Sequence, residues 1–162
     1  MSYGKQEIYD LLNAKGIQYE AIEHEAVYTM EGMAALGLPH EEFVAKNLFL
    51  RDAKKKNFYI FVVATDQRVD LKSLGERFNI KGVGFASEKY LESILGVFAG
   101  AVSPFGALND TEGKVRVYVD DRFKGNVIAV HPNDNTASVY LQTEDLVAVL
   151  ADHGTQVEYF TF

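Results

Sequence analysis

Residues 58–64 read Phe-Tyr-Ile-Phe-Val-Val-Ala, seven apolar positions without a polar interruption. A strand with one wet face alternates apolar and polar side chains, so an unbroken run of this length predicts a central strand covered on both faces. The preceding stretch 45–51, Ala-Lys-Asn-Leu-Phe-Leu-Arg, reads as the first arm of a hairpin, closed by a Lys/Asn turn at 54–57. A chain built around such a strand needs layers on either side of it, and the rest of the sequence supplies them.

Ile8, Leu11 and Leu12 recur at helical spacing, which predicts an amphipathic helix over residues 5–15 stopped by Gly16. Alternation over residues 17–23 predicts a strand, and Thr29 is placed to cap a second helix ending near Gly37. Asp70 opens a third helix, a short strand falls at 83–85, and Ser87 caps a further helix that ends at Gly96. Strands are predicted at 115–119, 126–130 and 137–141, the last two flanking the turn His131-Pro132-Asn133-Asp134-Asn135. Thr143 is expected to cap a final helix to about Asp152, followed by a closing strand over 156–160. The expectation is a mixed α/β domain whose central, mostly antiparallel sheet of about six to eight strands is surrounded by helices.

The chain has 162 residues, enough for one domain, with 48% hydrophobic content for its core. It has no cysteine, which removes disulfides, thiolate metal sites and a cysteine nucleophile. His24, His40, His131 and His153 show no metal-ligand spacing, so no metal or cofactor is expected. No apolar run is long enough to span a membrane and the start of the chain lacks a signal core, so a cytoplasmic protein without membrane association is expected. A formal net charge of −7 argues against a broad basic face for nucleic acid, while leaving room for contact with one short end of it. Lys46, the run at Lys54, Lys55 and Lys56, and Arg68 with Lys72 are the candidates for such a local patch; the lysine run also reads as an ordinary solvated hairpin turn.

Four features carry possible chemistry. Lys46 stands in an apolar strand, where an ammonium group either reaches solvent or faces a site that supplies an anion. Asn47 beside it is an amide in a strand position where amides are scarce. His131 closes a strand before a turn, where an imidazole can exchange protons, and His24, Tyr28 and Thr29 follow the first strand toward the same end of the sheet. Residues 100–106, Gly-Ala-Val-Ser-Pro-Phe-Gly, read as a shaped loop: either a plain turn or a wall that brings main-chain N–H groups close to a ligand. No G-x-S-x-G elbow or phosphate-binding glycine motif is present, and Ser103 has no evident base beside it.

Together, His24-x-x-Val27-Tyr28-Thr29, Val44 to Leu50 with Lys46-Asn47 at its centre, Gly100 to Gly106, and the His131 to Thr136 turn resemble the YbaK/prolyl-tRNA synthetase-associated editing domain family, in its free-standing deacylase branch. The resemblance spans nearly the whole chain as one editing domain. It implies a trans-editing hydrolase of mischarged aminoacyl-tRNA, most closely alanyl-tRNA(Pro), with water attacking the ester and the substrate 2′-hydroxyl assisting. It implies catalytic roles for Lys46, Gly100 and His131, and substrate contacts for His24, Tyr28, Thr29, Asn47, Ala101, Val102, Ser103 and Pro104. The implied partners are the tRNA acceptor end and prolyl-tRNA synthetase. A cysteinyl-tRNA(Pro) deacylase of the same family, a non-catalytic module for the tRNA 3′ end, and a general metabolite-binding domain are the rival readings.

Overall fold

The apolar run becomes β3 (Phe58–Ala64), and every one of its residues is buried. The computed structural model describes residues 2–162 and arranges eight strands in two sheets. The larger sheet runs β4 (Gly84–Phe85), β2 (Ala45–Arg51), β3, β5 (Val115–Asp120), β8 (Gln156–Phe160). The smaller has the order β1 (Tyr19–Glu23), β7 (Ala137–Gln142), β6 (Val127–Val130). Pairing is antiparallel for β1–β7, β6–β7, β2–β3 and β2–β4, and parallel for β3–β5 and β5–β8.

The mixed, mostly antiparallel character matches the sequence expectation, but the strands do not form one central sheet. An isolated parallel bridge, Val44 to Ala129, links the two sheets. The reason lies in the alternation of β3. Phe58, Ile60 and Val62 pack into a core shared with Ile128, Val130, Val139 and Leu141 of the smaller sheet, so one face of each sheet lines a common core. Tyr59, Phe61 and Val63 face the opposite way, onto Leu74 and Ile80 and onto Phe160 of β8.

Helix α1 (Lys5–Ala14) and α5 (Thr143–His153) close the shared core with Ile8, Leu12, Leu146, Val149 and Leu150. Helix α2 (Met30–Ala35) is capped by the Thr29 hydroxyl, which accepts from the Gly32 N–H at 3.0 Å, and α3 (Leu71–Phe78) by the Asp70 carboxylate. Two expected caps are corrected. Ser87 makes no side-chain cap on α4 (Glu88–Tyr90), which continues as a π turn over Leu91–Leu95. Thr143 is the first residue inside α5, not its cap, and its hydroxyl donates to the Asn126 carbonyl at 2.9 Å, tying β6 to the β7–α5 junction. Among the described residues no helix is long and apolar enough to cross a membrane.

Candidate active site

The cleft forms at the seam between the two sheets, at the start of β2 and the end of β6, beside the Val44–Ala129 bridge. It has a volume of about 250 Å³ and is lined by residues of four separate segments, among them Tyr28 and Thr29, Lys46 and Asn47, Gly100 and Val102, and His131. Neighbouring side chains on β2 project to opposite faces, yet Lys46 and Asn47 at the start of the strand both belong to the lining of the cleft.

Lys46 is half-buried and its Nζ donates to the Gln67 carbonyl at 2.8 Å. That contact uses one of three ammonium donors, leaving two for an anion in the cleft. Asn47 Nδ2 makes a long 3.5 Å contact to the Val102 carbonyl, while its Oδ1 is buried with no partner among the described residues. A buried amide oxygen without a donor costs about 1–3 kcal/mol, so a ligand N–H or O–H arriving there would be bound favourably.

His131 Nδ1 lies 2.9 Å from the Ala137 carbonyl. Because a carbonyl only accepts, Nδ1 carries the proton and Nε2 of the neutral ring is the basic nitrogen. Burial pushes the His131 pKa below its ordinary 6.5, with the nearby His24 adding to the fall against the opposing Ala137 hydrogen bond. The ring is therefore neutral at pH 7. His24 does not line the cleft; it stands behind His131, edge-on at 6.2 Å between centroids, with Nε2 3.0 Å from the Ser138 hydroxyl and Nδ1 2.8 Å from the Glu25 carbonyl.

The loop at 100–106 divides in two. Gly100 has φ +93°, and a Cβ there would stand 3.0 Å from Tyr28 Cδ1 and 3.3 Å from the Val27 carbonyl, so the glycine is required by the close approach of the opposite wall. The N–H groups of Gly100 and Val102 have no protein acceptor among the described residues, whereas Ala101 N–H is spent on the Phe98 carbonyl. From Ser103 onward the chain turns inward. Ser103 is fully buried, its Oγ accepts from the Phe105 N–H at 3.0 Å, and it caps a 3₁₀ helix over Pro104–Asn109 whose first five residues are buried. Ala101, Ser103 and Pro104 thus support the loop without lining the cleft, contrary to the substrate contacts expected of them. Gly106 serves packing, since a Cβ would stand 3.0 Å from Leu95 Cβ.

The structure adds Val27, Met33 and Ala45 to the lining, and Asn135 as a support. Asn135 is almost wholly buried and its Nδ2 donates to the Val27 carbonyl at 2.7 Å, holding the Tyr28 wall against Gly100. Asn133, in the left-handed region at φ +59°, likewise donates to the Tyr3 carbonyl at 2.8 Å. In the sequence both stood inside the His131–Thr136 turn that carries part of the family resemblance, but with no role of their own, since Asn is the ordinary composition of turns.

Residues 24–149 match the model of the aminoacyl-tRNA editing domain family. The chain is 42% identical over 151 residues to the prolyl-tRNA editing protein ProX of Acetoanaerobium sticklandii, covering 93% of this chain and 92% of that protein. It is 33% identical over 153 residues to prolyl-tRNA synthetase associated domain-containing protein 1 of Mus musculus, covering 88% and 87%. Its fold matches a crystal structure described as a candidate trans-editing enzyme for prolyl tRNA synthetase, with TM-score 0.72 and 20% identity over 100% of this chain and 99% of that one.

Proposed function

The chain belongs to the aminoacyl-tRNA editing domain family, and on that premise we propose that it is a single-domain, trans-acting deacylase of mischarged tRNA(Pro), with alanine as the amino acid removed. The observation that carries the reading is that Lys46, a neutral His131, Gly100 and Val102 line one small cleft, the last two with main-chain N–H groups that lack protein acceptors among the described residues. Those groups answer the needs of ester hydrolysis: a cation for the terminal phosphate, an acceptor for a hydroxyl or water proton, and donors for the oxyanion.

In this reading the two remaining Lys46 donors hold the phosphate of the terminal nucleotide. The ester carbonyl lies toward the Gly100 and Val102 N–H groups, and Asn47 Oδ1 takes a donor from the substrate. His131 Nε2 accepts from the ribose 2′-hydroxyl, which orders the attacking water, so no protein nucleophile is needed. Discrimination rests on size: a synthetase site shaped for proline gains only about 1–3 kcal/mol for each methylene that a smaller residue lacks, and a second, smaller cavity must remove what escapes. The tRNA acceptor end is the partner, and the synthetase whose errors are corrected is the second.

Deacylation of tRNA(Pro) charged separately with alanine, cysteine and proline tests this. Rapid loss of alanine with proline retained is expected, and Lys46→Ala should abolish that loss in single-turnover conditions. Rapid loss of cysteine with alanine retained would move the chain to the cysteinyl branch, and hydrolysis of none would leave a binding module.

A further inference from the structure

Basic residues scattered in sequence are drawn by the fold into one strip that starts at the cleft. Lys46 stands at the cleft end of β2, and the β2–β3 turn with Lys54, Lys55 and Lys56 stands at the other, roughly 20–25 Å away at about 3.3 Å per strand residue. Helix α3 lies over the same face of the sheet, with Leu74 against Leu50 and Tyr59. The segment leading into it contains Gln67, whose carbonyl receives Lys46 Nζ, followed by Arg68. Beyond its far end, residues 81–82 grip the hairpin turn: Ala53 N–H donates to the Lys81 carbonyl at 2.9 Å and the Arg51 guanidinium to the Gly82 carbonyl at 2.8 Å. Between these ends runs an open groove of about 490 Å³ lined by Lys72, Glu76, Asn79 and Lys81, among others.

Arg68, Lys72, Lys81 and the three turn lysines are all exposed. The carboxylates on the same path are Asp52, Asp66, Asp70 and Glu76, of which Asp66 is paired with the Arg122 guanidinium at 3.0 Å. Asp52 is folded onto the N–H groups of Lys56 and Asn57 and the Asn57 amide, and Asp70 onto the Lys72 N–H and the Ser73 hydroxyl. In a chain of formal charge −7, the strip gathers cations while the rest of the surface holds the excess of Asp and Glu.

We propose that this strip, from the cleft along α3 to the β2–β3 hairpin tip, seats the backbone phosphates of the tRNA acceptor arm whose 3′ end occupies the cleft; it rests on the deacylase function proposed for that cleft. A duplex leaving the cleft must cross an adjoining surface, and its phosphates are repelled by the acidic remainder of the molecule. Lysines serve such a backbone as point charges without reading its sequence, drawing affinity from counterion release. An acidic protein partner would also suit the charge, but the continuity of the strip with the cleft favours the arm of the same substrate.

The test compares wild type with K54E/K55E/K56E and with K72E/K81E, using single-turnover deacylation of mischarged full-length tRNA(Pro) and of a short aminoacylated 3′-terminal fragment lacking the duplex. Fluorescence anisotropy with uncharged tRNA(Pro) reads binding without chemistry. For full-length tRNA the apparent KM and Kd of both variants should rise about tenfold or more, with the maximal rate kept, and the salt-dependence slope should fall by roughly 0.7–0.9 for each phosphate no longer neutralised. The short fragment should be cleaved equally by all three proteins. Unchanged tRNA affinity and slope in both variants would overturn the proposal and assign the strip to an acidic protein partner; an equal loss on the short fragment would overturn it by tracing the effect to the cleft. Wild-type protein that binds tRNA but hydrolyses no aminoacyl ester would sink the deacylase reading alone.

Discussion

Gly100 shows how far one residue's identity can be dictated by its surroundings. Its φ of +93° and the 3.0 Å approach to Tyr28 oppose any side chain. Gly100→Ala is expected to lower stability by about 1–3 kcal/mol through backbone strain alone, measured as a lower urea midpoint, and to raise KM by displacing the Tyr28 wall. His131 carries a second prediction. Its folded pKa is depressed, so below 6.5 the unfolded chain binds a proton that the native one resists. Its contribution to stability is therefore complete above about 6.5 and declines as pH falls toward the depressed value. The same shift keeps Nε2 unprotonated, so the acid limb of the deacylation rate profile should fall below pH 6.5; a limb at or above that value would remove His131 from its role. At this scale the sequence was legible where a residue type was out of place, as with Lys46 and Asn47 in an apolar strand. Asn135 was not legible, because an asparagine in a turn looks the same whether it is solvated or buried against the Val27 carbonyl.

Among elements, those set by local pattern agree closely with expectation: β3, the β2–β3 hairpin, α1, α3 and the Thr29 cap all follow from periodicity and end signals. The segment after Gly100 does not. Its Gly and Pro marked an irregular loop, but the inward turn into a 3₁₀ helix depends on the space beside Leu95 and Asn133, which no local signal encodes. Ser103 separates the two readings. As a buried N-cap its replacement by Ala should cost about 0.5–2 kcal/mol of stability while leaving KM and the maximal deacylation rate near wild type. A large rise in KM at unchanged stability would return Ser103 to the substrate.

Over the whole molecule, the two sheets share one core, so neither should unfold alone. Ile128 belongs to the smaller sheet but is fully buried against residues of the larger one. Ile128→Ala should destabilise the protein by about 2–5 kcal/mol in a single transition, seen coincidentally by far-UV circular dichroism and by fluorescence of the nine tyrosines in a chain without tryptophan. Separate transitions would show that the sheets are independent. By itself the sequence determined most of the elements, the doubly covered central strand and the out-of-place polar residues Lys46 and Asn47 that line the cleft, because periodicity, caps and misplaced polar groups act over a few residues. Only the tertiary structure decided that the strands divide between two sheets, that Ser103 turns inward while Gly100 meets Tyr28, and that Lys46 and His131, far apart in sequence, line one cleft. Those outcomes depend on packing between segments tens of residues apart, where the free energy of a contact belongs to neither segment alone.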